Sequence, residues 1–100
     1  MWILEGSAPE TTFRLRPGAV KTVGRAPRAD FIVEAALVSR LHCRLTAGAD
    51  KLEVVDLKST NGTYVNGKRI NKAHLADGDR LRVGRVELTI VMARADDRQG

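Results

Sequence analysis

The sequence predicts an all-β fold, a two-sheet antiparallel β-sandwich of about 10–11 short strands with its functional loops at one end. Two observations carry that reading: apolar and polar residues alternate in short segments, and turn-forming residues punctuate the chain between them. In a strand successive side chains point to opposite faces. Thr12-Phe13-Arg14-Leu15-Arg16 has that alternation, Leu41-His42-Cys43-Arg44-Leu45 places Leu41, Cys43 and Leu45 on one face, and Val86-Glu87-Leu88-Thr89-Ile90 turns Val86, Leu88 and Ile90 inward. Lys51 to Val55 and Arg80 to Val83 read likewise. Between them stand Pro17-Gly18, Ala47-Gly48-Ala49-Asp50, Asn61-Gly62, Asn66-Gly67, Asp77-Gly78-Asp79 and Gly84-Arg85. Asn66-Gly67 is the strongest hairpin signal, because a type I′ turn needs positive φ at both central residues; it joins Thr63-Tyr64-Val65 to Lys68-Arg69-Ile70. A helical spacing competes at Glu34 to Leu45, through Ala35, Val38, Leu41 and Leu45, but alternation resumes at Leu41, so two helical turns at most would fit and the domain stays all-β.

A chain of 100 residues suits one domain. The sandwich is expected over residues 1–93, followed by a polar, frayed tail at 94–100. Cys43 has no cysteine to pair with, and His42 and His74 stand far apart in sequence, so neither a disulfide nor a metal site is expected, and no cofactor is implied. The opening Met1-Trp2-Ile3-Leu4-Glu5 meets an acid and a glycine at once, unlike a signal peptide, and no apolar run has membrane-spanning length. A cytoplasmic protein, monomeric by default, is the expectation. The net charge of +5 favours anionic partners, whether nucleic acid, acidic lipid or phosphorylated protein, without choosing among them.

The arrangement of side chains narrows that choice. Ser39, His42 and Asp56 superficially offer a nucleophile, a base and an orienting acid, but no nucleophile-elbow context surrounds Ser39, and residues three apart in extended chain face opposite ways. Cys43 lies in an apolar row, where an inert buried thiol is the ordinary outcome. The expectation is therefore no enzyme. The basic residues are scattered from Arg14 to Arg98, and only Trp2, Phe13, Phe31 and Tyr64 are aromatic, so no nucleic-acid platform is formed.

The polar residues that remain cluster at loop positions: Gly24-Arg25, then Ser39-Arg40-Leu41-His42, then Asp56-Leu57-Lys58-Ser59-Thr60-Asn61-Gly62-Thr63-Tyr64-Val65-Asn66-Gly67. In order and separation these resemble the motifs of the forkhead-associated (FHA) domain, and the resemblance runs from about Val23 through Val91. It takes in Asp30-Phe31-Ile32-Val33, similar to the family's strand after the Gly-Arg loop, and Leu75 to Val83, similar to its Gly-Asp-containing hairpin. The resemblance implies a signalling module of a Ser/Thr kinase pathway that recognises phosphothreonine on a partner protein. Arg25, Ser39, Arg40 and Thr60 would then meet the phosphothreonine, Asn61 would hold the peptide backbone just beyond it, and His42 would tie the binding loops together.

The physical chemistry of these residues is compatible with that role. A phosphate brings about −1.5 to −2 charges and several acceptor oxygens, so its site needs fixed donors and at least one full positive charge. Arg25 offers a planar fork that stays charged, Ser39 and Thr60 offer short hydroxyls, Arg40 adds a second cation, and Asn61 carries both a donor and an acceptor. Read as bare residues, Ser39 and Asn61 serve equally as turn formers. Gly24, His42, Gly62, Asn66 and Gly67 are read as structural support of the binding loops, and Lys58 as outside the main site. The alternative function is a phosphorylation-independent protein–protein interaction or self-association module.

Overall fold

The structure, a computed structural model of the chain, describes residues 1–6 and 11–93; the expected tail at 94–100 lies outside the described residues. Eleven strands alternate with turns: β1 (Trp2–Gly6), β2 (Thr12–Leu15), β3 (Val20–Gly24), β4 (Phe31–Ile32), β5 (Cys43–Ala47), β6 (Leu52–Asp56), β7 (Thr63–Val65), β8 (Lys68–Ile70), β9 (Lys72–Leu75), β10 (Arg80–Val83) and β11 (Val86–Met92). They form a six-stranded sheet in the order β2-β1-β11-β10-β7-β8 and a five-stranded sheet in the order β4-β3-β5-β6-β9. The alternation expected from the sequence is what closes the sandwich. Leu4, Leu15, Leu81, Val83, Leu88 and Ile90 from the first sheet meet Val23, Cys43, Leu45, Leu52, Val54 and Leu75 from the second, all buried in one core. Phe13 and Phe31 stack with ring centroids 4.5 Å apart, joining edge strands β2 and β4 of opposite sheets. The buried Trp2 donates its indole N–H to the Gly48 carbonyl (2.8 Å), which fastens β1 to the β5–β6 turn.

Turn chemistry sets the registers. Asn66 (φ 51°) and Gly67 (φ 82°) make the expected tight turn, pairing Val65 with Lys68 and Tyr64 with Arg69. Asn66 also braces β10: its side-chain carbonyl accepts the Arg80 N–H (2.9 Å) and its amide reaches Asp79 (3.2 Å).

Three local expectations change. The strand anticipated from Leu41 begins at Cys43, because His42 and Cys43 are both buried and alternation fails between them, while the 34–42 segment is non-helical in keeping with the all-β reading. The pairing of β3 with β4 is parallel: the 25–30 loop returns the chain beside β3, where Asp30 accepts from the Thr22 N–H (2.9 Å) and hydroxyl (3.1 Å), so β4 starts in the same direction. The Asp77-Gly78 turn is a crossing and not a hairpin, since β9 pairs with β6 in one sheet while β10 pairs with β7 and β11 in the other.

This topology sends the loops at 25–30, 33–42 and 57–62 to one pole. The β10–β11 turn joins them, since Gly84 packs on the Leu37 backbone. The opposite pole holds the ends of the described fold: the Met1 amino group donates to the Ala93 carbonyl (2.9 Å) and the Ala93 N–H to the Met1 carbonyl (2.9 Å). No helix among the described residues is long and apolar enough to cross a membrane.

Core and surface apolar residues should separate cleanly in denaturation. Leu45→Ala, at a fully buried position, is expected to cost about 2–5 kcal/mol. Val20→Ala, at a position 54% exposed, should stay within about 0.5 kcal/mol. Urea midpoints at constant slope check both.

Candidate functional site

Residues 39–42 run alongside the end of β3, although they belong to no strand. Arg25 and Ala26 donate their N–H groups to the Ser39 and Arg40 carbonyls (2.9 and 3.1 Å), and the His42 N–H reaches the Val23 carbonyl (2.7 Å). Gly24 makes this approach sterically permissible. A Cβ on Gly24 would stand 2.0 Å from the Arg40 carbonyl oxygen, so the glycine serves the protein's own backbone and not a ligand.

The imidazole of His42, fully buried, joins this loop to the next. Its Nδ1 accepts the Ser39 N–H (3.0 Å), which fixes the proton on Nε2, and Nε2 donates to the Gly62 carbonyl (2.8 Å). The Leu57 N–H closes the same junction on the His42 carbonyl (2.9 Å). Asp56 braces the 57–62 loop from within: one carboxylate oxygen accepts the Ser59 and Thr63 hydroxyls and the other the Ser59 N–H (3.2 Å), while Ser59 Oγ in turn accepts the Gly62 N–H (3.0 Å). Desolvation pushes the Asp56 carboxyl up, but the hydrogen bonds from Ser59 and Thr63 outweigh it and hold its pKa below the usual carboxylate value. Lys58, exposed beside it, takes a left-handed conformation (φ 56°).

On this frame Arg25, Ser39, Thr60 and Asn61 line one cleft together with Ala36, Leu37 and Val38. Its volume of about 180 Å³ is below the several hundred Å³ usual for a drug-sized ligand, so it suits a compact group and a stretch of backbone. Arg25 donates from Nε to the Val38 carbonyl (3.0 Å), which steadies the guanidinium and leaves its terminal N–H groups without partners among the described residues. Ser39 Oγ accepts the Thr60 N–H (3.0 Å), so its own proton is available for donation. Asn61 is steadied by donating to the Leu37 carbonyl (3.1 Å), which leaves its side-chain oxygen without a partner among the described residues. The Thr60 hydroxyl is unengaged among the described residues and Thr60 is exposed. No carboxylate lines the cleft.

Arg40 is exposed beside Ser39 but does not line the cleft. The structure does not bring Asn66 and Gly67 to it either. Strand β7 separates them from Gly62, so the loop support expected of them is exerted on β10 instead. Sequence reading missed the Leu37 and Val38 carbonyls, which aim Asn61 and Arg25, and no side-chain pattern marks a carbonyl. It also missed the brace formed by Asp56, Ser59 and Thr63, for which the Asp-x-x-Ser turn spacing was an available signal.

No catalytic relay exists at these residues. Ser39 meets His42 through its N–H and not its hydroxyl, and Asp56 binds Ser59 and Thr63. Burial, reinforced by the Asp56 charge, pushes the Cys43 thiol up to about 12, so it stays protonated. Among the described residues no group of His, Cys, Asp or Glu is placed to hold a metal ion.

The loop frame yields a stability prediction with a definite sign. Because the folded pKa of Asp56 is depressed, its contribution is present above the unfolded value near 3.8 and is lost as pH falls through the folded one. Asp56→Asn should therefore flatten the acid limb of a plot of urea midpoint against pH. His42→Phe preserves a ring but strands the Ser39 N–H and the Gly62 carbonyl, and is expected to cost about 2–4 kcal/mol in the same assay at neutral pH.

Comparison with known proteins agrees with this architecture. The FHA domain profile matches residues 21–84. The chain is 42% identical over 77 residues to an ABC transporter ATP-binding/permease protein of Mycobacterium tuberculosis, covering 77% of this chain and 9% of that protein. It is 34% identical over 79 residues to the glycogen accumulation regulator GarA of Mycolicibacterium smegmatis, covering 79% of this chain and 50% of the regulator. The chain thus spans half or less of these curated relatives. A solved structure from an analysis of phosphothreonine-dependent FHA domain interactions superposes with a TM-score of 0.86 at 33% identity, covering 93% of this chain and 97% of that one. With its profile match over most of the chain and these loops on this sandwich, the chain belongs to the FHA domain family.

Proposed function

We propose that the cleft between the 33–42 and 57–62 loops binds a phosphothreonine on a partner protein, as a reversible docking step in Ser/Thr kinase signalling. The observation that carries this reading is the convergence of unengaged donors on a cleft without a carboxylate: the outer N–H groups of Arg25, the Ser39 hydroxyl and the Thr60 hydroxyl. Arg25 supplies the charge that anchors the phosphate, Ser39 and Thr60 donate to its oxygens, and Asn61 holds the peptide backbone beside it. Arg40 contributes its charge from outside the cleft, where it raises the local positive potential and speeds encounter. Gly24, His42 and Gly62 hold the loops in place. The similarity to an FHA domain with phosphothreonine-dependent interactions supports the same reading.

The energetics suit a transient contact. Each charge-assisted hydrogen bond is worth roughly 1.5–3 kcal/mol, so three or four of them give about micromolar binding once the cost of ordering a flexible peptide is subtracted. The module acts by binding, without turnover.

Isothermal titration with a matched set of phosphothreonine, phosphoserine and unmodified threonine peptides tests the proposal. Arg25→Ala should weaken phosphothreonine binding by about 10- to 100-fold. Burial of the threonine methyl alone gives about a fourfold preference over phosphoserine, and a larger ratio indicates a shaped methyl pocket. Equal binding of phosphorylated and unmodified peptides would instead favour phosphorylation-independent interaction through the sheet surface.

A further inference from the structure

Arg69, on edge strand β8, lies outside the residues assigned above, yet it is drawn against them. Its side chain passes directly over Gly62, the residue after Asn61. A Cβ on Gly62 would stand 2.7 Å from Arg69 Nε and 3.0 Å from Cζ, so the guanidinium rests on the bare α-carbon of the glycine. Gly62 is itself immobilised from below, with its carbonyl on His42 and its N–H on Ser59, and its φ of +90° also favours glycine.

This exposed cation is seated on the glycine and has no counter-ion among the described residues. The ion pairs among the described residues are Lys72–Glu53 and His74–Glu53, both on the other sheet. On its own outer face Arg69 is paired in register with Tyr64, Tyr64 with Arg82, and Arg82 with Glu87. The Arg82 guanidinium lies 4.3 Å from the centre of the Tyr64 ring, so the near end of this row is positive and its one acid stands at the far end. A planar guanidinium held in this way forms bidentate contacts with a carboxylate or phosphoryl group at lower entropic cost than a free side chain.

We propose that Arg69 is a specificity-determining residue that receives an anionic side chain, a carboxylate or a second phosphoryl group, from the segment flanking the bound phosphothreonine. The inference rests on the phosphothreonine reading of the adjacent cleft. A guanidinium that only covered Gly62 would act on the loop, and so on every ligand alike; a recognition role appears as a difference between ligands.

The test measures the affinity of a neutral-flanked phosphothreonine peptide, of the same peptide with one Asp at each flanking position in turn, and of a third series with phosphoserine in its place. Each is titrated against the parent protein, R69Q and R69K, and the readout is the ratio of acidic to neutral affinity within each protein, which cancels any general loss. At one or more positions the parent should gain about three- to tenfold from the acid, less at high salt. R69Q should lose that gain and R69K keep part of it. A larger gain from phosphoserine identifies a second phosphate as the preferred group, and an equal gain identifies a carboxylate. An acidic gain of the same size in R69Q, or no gain in the parent at any position, overturns the role of Arg69 while leaving the phosphothreonine reading intact. Failure of the parent to bind the neutral phosphothreonine peptide refutes that underlying reading, and this inference with it.

Discussion

The binding pole depends on one buried imidazole. His42 bonds both the Ser39 N–H of its own loop and the Gly62 carbonyl of the next, with both ring nitrogens engaged inside the protein. Its contacts are directional. The Ser39 N–H selects the tautomer, and the tautomer selects a carbonyl as the second partner. Ser39 is thereby held by its backbone, which leaves its hydroxyl oxygen to accept the Thr60 N–H and its hydroxyl proton to donate elsewhere.

Around that bridge, each exposed polar residue of the cleft is steadied by an atom that costs it little function. Arg25 spends only Nε on Val38, and Asn61 spends one amide proton on Leu37. Their outward-facing groups stay uncommitted. Asp56, the nearby carboxylate, is engaged by Ser59 and Thr63 and forms no ion pair with Arg25. The cleft is thus ordered by the protein's own hydrogen bonds.

The strands and their turns were legible because alternation and turn chemistry are local. Arg80 to Val83 and the hairpin about Asn66-Gly67 appear where the sequence puts them. The features that escaped are those set by distant partners. Nothing near Phe31 announces a parallel neighbour, since that pairing rests on Asp30 returning to Thr22. The Asp77-Gly78 turn has hairpin residues, yet its flanking strands are claimed by different sheets. Gly24 signals a close approach without saying to what, and the Arg40 carbonyl is found only in three dimensions. The cleft followed the same division. Arg25, Ser39, Thr60 and Asn61 were read from motif order and meet in space, whereas Arg69 reaches the site by lying across a glycine, for which spacing gives no cue.

The reciprocal pairing of Met1 with Ala93 has an architectural consequence. Strand β11 leaves the loop pole at the Gly84 turn and runs the length of the sheet to reach Met1, so Met1 and Ala93, the two ends of the described fold, lie side by side at the pole remote from the cleft. The β1–β11 ladder is thereby clasped like the far end of a zip, and fraying that begins there has to open the whole ladder before it reaches the loops around the cleft.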